Sequence, residues 1–239
     1  MWPVCKKELQ QFFSSLTGYI AIIFFLLLTG AILFVLPDNI LDFGYATLEK
    51  FFQIAPWILL VLIPAITMRS FSEEFKTGTF EILQTLPITR WQLLSGKYFA
   101  ALFVILIAML PTLVYPYSLQ QLSTTGGIDT GGTAGSYIGL FLLSACFVAI
   151  GICCSSLTTN AVVAFIASAF VCIVVYGAFT AISRISAFEG GMDYYLEMLG
   201  IDFHYRSLSR GVVDTRDVIY FISVIVFFLV ITHRNLVKR

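Results

Sequence analysis

The sequence predicts an all-α membrane protein with six transmembrane helices, and three observations predict it. Of 239 residues, 59% are hydrophobic and only 12% are charged, about half the charged share of soluble domains. Mean hydropathy is +0.91. The charges lie in clusters separated by bare runs: none falls between Lys50 and Arg69, between Lys97 and Asp129, or from Thr130 to Ser183. Each bare run is long enough for one or two helices across a hydrocarbon core ~30 Å thick. No segment has the composition of a separate soluble module, so residues 1–239 read as one transmembrane domain.

Residues 3–15 open the chain with Pro3 in a first helical turn, then Lys6, Lys7 and Glu8 among Val4, Leu9, Phe12 and Phe13. This amphipathic pattern suits an interfacial helix lying on the membrane or an extension of the first span. It does not suit a signal peptide, because the uncharged run behind it is too long and lacks a small-residue cleavage site. The first span, 19–36, would rise ~27 Å and stop at Pro37-Asp38-Asn39. The second, 51–68, contains Pro56 and Pro64, tolerated where neighbours satisfy the freed carbonyls. The third, 98–119, is bent near its end by Pro111 and Pro116, beside the interfacial pair Tyr115 and Tyr117.

The stretch 120–136, QQLSTTGGIDTGGTAGS, reads as a flexible loop without the spacing or lysine of a phosphate-binding loop. Thr130–Ser183 holds 54 uncharged residues, enough for two spans. The small polar cluster at 153–160 divides them into 137–154 and 159–182, both rich in Gly and Ala that let helices approach closely. Residues 184–217 predict a helical hairpin. Met192, Tyr195, Leu196 and Leu199 recur at helical spacing, Gly200 closes that piece and Asp202 caps the next. The last span, 215–232, borrows Asp214–Asp217 for its first turn. Five cysteines sit in or beside apolar runs without metal spacing, and read as small buried hydrophobes.

Six spans put both termini on one side. With 69–97 on that side it holds nine Lys and Arg, against five on the other, so both termini and the 69–97 loop are expected in the cytoplasm. That loop is the only densely charged, non-terminal segment in the first two-thirds of the sequence. Ser70-Phe71-Ser72-Glu73 and Thr89-Arg90-Trp91-Gln92 both fit a capping box. Between them Thr79–Leu86 predicts a short helix, entered through Gly78 and ended by Pro87. Phe80, Leu83 and Leu86 would face the bundle or membrane, and Glu81, Gln84 and Thr85 the water.

The run Glu73-Glu74-Phe75-Lys76-Thr77-Gly78-Thr79-Phe80-Glu81-Ile82-Leu83, then Leu86-Pro87-Ile88 and Gly96-Lys97, resembles the coupling-helix region of ABC-2 type transporter permeases. The layout of the whole chain is similar too: an interfacial helix, six spans, and an extracytoplasmic hairpin before the last. The segment from Ser207 to Asp217 looks most like the gliding-motility-associated permease branch, with the relatives linked to nitrous-oxide-reductase maturation close behind. The resemblance implies an exporter subunit in a bacterial inner membrane, pairing with a second permease copy or a related membrane subunit. A separate cytoplasmic ATPase would bind ATP and Mg, engaging Glu73, Glu74, Gly78, Thr79, Glu81, Leu83 and Pro87.

The residues support that division of labour. No GxxxxGK[ST] occurs in the chain, and no cofactor, metal or nucleic-acid partner is expected. With the borrowed first turn set aside and the last span counted from Val218, the predicted spans hold no Asp, Glu, Lys, Arg or His, which a self-powered carrier would use. His204 and His233 read as solvated or interfacial, which argues against a membrane enzyme. Arg206 and Arg210, near Glu197 and Asp202, would shape an extracytoplasmic exit or only keep the hairpin in water. The polar groups Ser144, Ser168, Thr112 and Tyr176 within the spans suit interhelical hydrogen bonds as well as a cargo. A membrane anchor that transmits force without moving a substrate is the alternative.

Overall fold

The computed structural model describes residues 1–36, 47–85, 87–123, 127–184 and 192–238, apart from the side chains of Thr17, Gln84 and Met192. Pro37-Asp38-Asn39 and Leu86 lie outside these residues. The helices are α1 Trp2–Ser14, α2 Leu16–Phe34, α3 Glu49–Thr67, α4 Ser72–Thr77, α5 Thr79–Thr85 and α6 Arg90–Met109. A 3-10 turn, Leu110–Leu113, leads to α7 Val114–Leu122 and α8 Thr130–Leu157. Then come α9 Ala161–Ile173, a π turn Val174–Ala178, α10 Phe179–Ser183, α11 Met192–Met198, α12 Ile201–Ser209 and α13 Thr215–Lys238.

Among the described residues, five helical stretches are long and apolar enough to cross a membrane. The pair α1 and α2, bent by 72°, would make a sixth. The protein is therefore all-α, as the sequence predicts. Helix α8 is its axis: 83% of its most apolar window is buried, against 17% for α13. Leu140, Leu143, Phe147 and Ile150 of α8 are fully covered by α3, α6, α9, α12 and α13. Outward-facing Phe24, Ile166, Phe170, Ile219 and Phe227 stay exposed, as apolar side chains do where lipid is the solvent.

The prolines show how the interior is satisfied. Pro56 cannot donate to the carbonyl of Phe52, and the Tyr205 hydroxyl donates to it instead at 2.7 Å. Pro116 likewise frees the carbonyl of Thr112, which accepts from the Tyr137 hydroxyl at 3.0 Å. Both prolines thus become points where two helices are tied together, the role the sequence assigns to neighbours of a kinked span.

Several expected boundaries move. Residues 130–136 belong to α8 rather than to a flexible loop. Asp129 caps the helix by accepting from the Gly132 amide at 3.0 Å, and a Cβ at Gly135 would meet the Gly211 carbonyl oxygen at 2.5 Å. The glycines there serve close packing. The 153–160 cluster is mostly helix, and only Thr158–Asn160 breaks it before Asn160 caps α9. Ser70–Glu73 forms no capping box: the α4 cap position is Phe71, in helical conformation, and no side chain caps it. The chain leaves α3 without first becoming extended, so the geometry a Ser70 cap needs never arises. Gly200, not Asp202, holds the cap position of α12. The last span runs on through the basic tail to Lys238, with Asp214 Oδ1 accepting from the Arg216 amide at 2.9 Å.

Candidate functional site

The polar loop folds as an elbow. Thr79–Thr85 is helical as predicted, and Gly78 turns into it with φ of 71°, a left-handed conformation that costs glycine little. Phe71, Phe75 and Phe80 form one aromatic cluster beneath the two short helices, with Phe75 and Phe80 centroids 4.9 Å apart. Helix α6 starts at Arg90, earlier than the predicted third span. Thr89 and Gln92 complete the predicted capping box.

Three attachments fix the elbow to the bundle. The Ser155 hydroxyl of α8 accepts from the amides of Phe71 and Ser72 at 3.0 and 3.2 Å and donates to the Met68 carbonyl. Arg90 Nη1 donates to the Leu236 carbonyl at 2.6 Å, satisfying the end of α13, while Trp91 stacks on His233 at 4.3 Å. The third attachment is Lys97. Its ammonium, almost fully buried, donates to Glu8 Oε1 at 2.8 Å, Glu74 Oε1 at 2.8 Å and the Ser70 carbonyl at 2.6 Å. It also lies 5.0 Å above the Phe71 ring. One lysine therefore joins α1, the exit from α3, α4 and α6. The adjacent Gly96 lets α1 lie close, since a Cβ there would meet Val4 Cβ at 2.8 Å.

The predicted site residues divide by orientation. Glu73, Gly78, Thr79, Glu81 and Pro87 are exposed, together with Lys76 and Ile82. Leu83 is half-buried against the core, and Glu74 is turned inward to Lys97. Burial raises the Glu74 carboxyl above its usual range, with Lys97 pulling the other way. The outward face thus alternates acids, a lysine and one bare isoleucine on a backbone pinned from below. Such a face can receive a soluble protein and transmit its movement. At the opposite end Arg206 is engaged by Glu197 at 2.8 Å and by Asp202, while Arg210 is exposed.

Two sequence expectations fail here. His204 is buried rather than solvated: Nδ1 lies 2.7 Å from Asp217 Oδ1 and Nε2 lies 3.0 Å from the Met198 carbonyl. Asp217 is itself 7% exposed, and thirteen residues separate the pair in sequence, so spacing alone gave no sign of it. Lys97 is likewise buried in the candidate third span, contrary to an uncharged bundle. Its signal was there, as a lysine abutting a long bare run. Ser155 carried no signal, because nothing local distinguishes it from Ser156.

Residues 38–199 match the model of the ABC-2 family transporter proteins, and comparison with curated proteins gives no match. The matched region takes in the elbow, the helix α8 that anchors it and the start of the hairpin. With well over half of its length matched, the chain belongs to the ABC-2 family of transporter membrane proteins.

Proposed function

We propose that the chain is the permease subunit of an ATP-driven exporter, coupled through its elbow to a separate ATPase that binds ATP and Mg. The elbow faces the cytoplasm with both termini, in a bacterial inner membrane, and the permease works as a pair, with a second copy or a related membrane subunit. Glu73, Gly78, Thr79, Glu81 and Pro87 meet the ATPase, while Glu74 and Leu83 hold the elbow in place. A role in gliding motility is the branch the Ser207–Asp217 segment favours.

One observation supports the reading above others. A short polar helix stands exposed at one end of the bundle while Ser155, Arg90 and Lys97 tie its base to α8, α13 and α1. Motion imposed on such a helix passes to the spans instead of dissipating in a loop. Glu81→Lys and Ile82→Asp test it, because both side chains are exposed and neither supports the fold. The permease is expected to insert normally, lose the copurifying ATPase and lose cargo-stimulated hydrolysis. Retention of both in both variants refutes the proposal, as does labelling of a cysteine at 81 only from the outer side.

A further inference from the structure

Three cavities lie end to end along α3. At the elbow end, about 280 Å³ sits under α1, lined by Glu8, Met68, Arg69, Glu73 and Lys97. Next to it is an apolar groove of about 590 Å³ between α2, α3 and α9, lined by Ile20, Phe24, Ile58, Val61 and Phe165. The two share Ala21 and Ala65. The groove in turn shares Trp57 with a polar cavity of about 470 Å³ at the far end. Glu49, Tyr176, Thr180, Arg184, Arg206 and Arg210 line that last cavity. From Glu49 to Met68 the helix rises ~28 Å, close to one hydrocarbon thickness.

We propose that this line of cavities is the cargo path and that the cargo is an acidic amphiphile, its chain in the groove and its anionic head in a polar end cavity. This rests on the transporter reading above and names its substrate class. Polar cavities at both ends of one apolar groove match a molecule with one polar head and one apolar tail. Sign follows from the charges. Arg206 is spent on Asp202 and Glu197, which leaves Arg184 and Arg210, both exposed, against Glu49 at the far cavity. Glu49 already accepts from Gln53 at 3.1 Å. Trp57 marks the junction: its ring meets Tyr176 edge-on at 5.5 Å yet stays 56% exposed. Tyr176 itself belongs to the π turn, an irregularity that spans keep where a site needs it.

The test uses 9,10-dibromostearic acid and its methyl ester, one chain with and without charge, as quenchers of Trp57. The full chain carries Trp2→Phe and Trp91→Phe in phosphatidylcholine nanodiscs. The acid is expected to quench at a roughly tenfold lower concentration than the ester, with the preference lost in Arg184→Gln/Arg210→Gln. Equal quenching by acid and ester, or a preference surviving in that variant, overturns the site. In a second arm the native permease with its copurified ATPase should hydrolyse ATP faster with the acid and not with the ester. Binding without stimulation overturns the cargo assignment and leaves a resident lipid. The quenching arm needs no ATPase, so failure of the coupling proposal shows separately, as absent basal hydrolysis in the complex.

Discussion

Replacing Lys97 by Met probes the node on which the elbow rests. The Lys97 side chain is 1% exposed, and its two carboxylate partners, Glu8 and Glu74, are 18% and 13% exposed. The methionine fills similar space but leaves two acids facing one another and the Ser70 carbonyl without its donor. Removing one member of a buried ion pair costs about 3–5 kcal/mol, a large part of the ~5–15 kcal/mol that holds a typical domain together. The five cysteines are free and buried, so a thiol-reactive fluorophore reads unfolding directly. The midpoint is expected to fall by roughly 10 °C. The same dye separates local from global release, because Cys5 lies on α1 and the other four on α8 and α9. Cys5 should react well below the midpoint, since Glu8 is α1's ionic tie to the bundle. Adding Glu8→Gln and Glu74→Gln to Lys97→Met should return a good part of the loss, the stranded charges then being gone. An unchanged midpoint together with an unreactive Cys5 refutes the argument.

Gly151→Ala should lower the same midpoint, because its Cβ would stand 2.1 Å from Thr67 Oγ1, where α8 crosses α3. Overpacking of this kind costs about 1–3 kcal/mol. Thr67→Ala in the same chain should restore much of it, as the hydroxyl otherwise bonds back within its own helix, to the Ile63 and Pro64 carbonyls at 2.9 and 3.5 Å; no rescue would place the cost of the alanine away from the Thr67 hydroxyl. His204→Leu leaves Asp217 buried without its partner and should cost about 3–5 kcal/mol, while Asp217→Asn keeps an acceptor for the ring and should cost less. The reverse order in thermal unfolding would show that the pair does not hold α12 to α13.

What the sequence made legible follows from the range of the forces involved. The all-helical membrane build, the amphipathic start, the helix entered through Gly78 and the Thr89 capping box are set by residues within a few positions of one another, and all are visible as pattern. The partners of Lys97 and the His204–Asp217 pair are set across tens of residues or between separate helices, where spacing has no periodicity to show. The Gly-rich stretch before Ser136 illustrates the gap from the other side. Read locally, Thr-Gly-Gly-Thr-Ala-Gly-Ser is poor helix-forming material. Helix α12 and the turn at Gly211 lie against it, so that only glycine fits at 135, and close packing overrides propensity. The same physics explains where the family's loop motif was informative and where it was not. Glu73 and Glu74 are adjacent and identical in type, yet one faces water while the other completes the coordination of a buried lysine. A motif that spans both conflates an exposed face with the contacts that hold it in place, and only the elbow's geometry separates them.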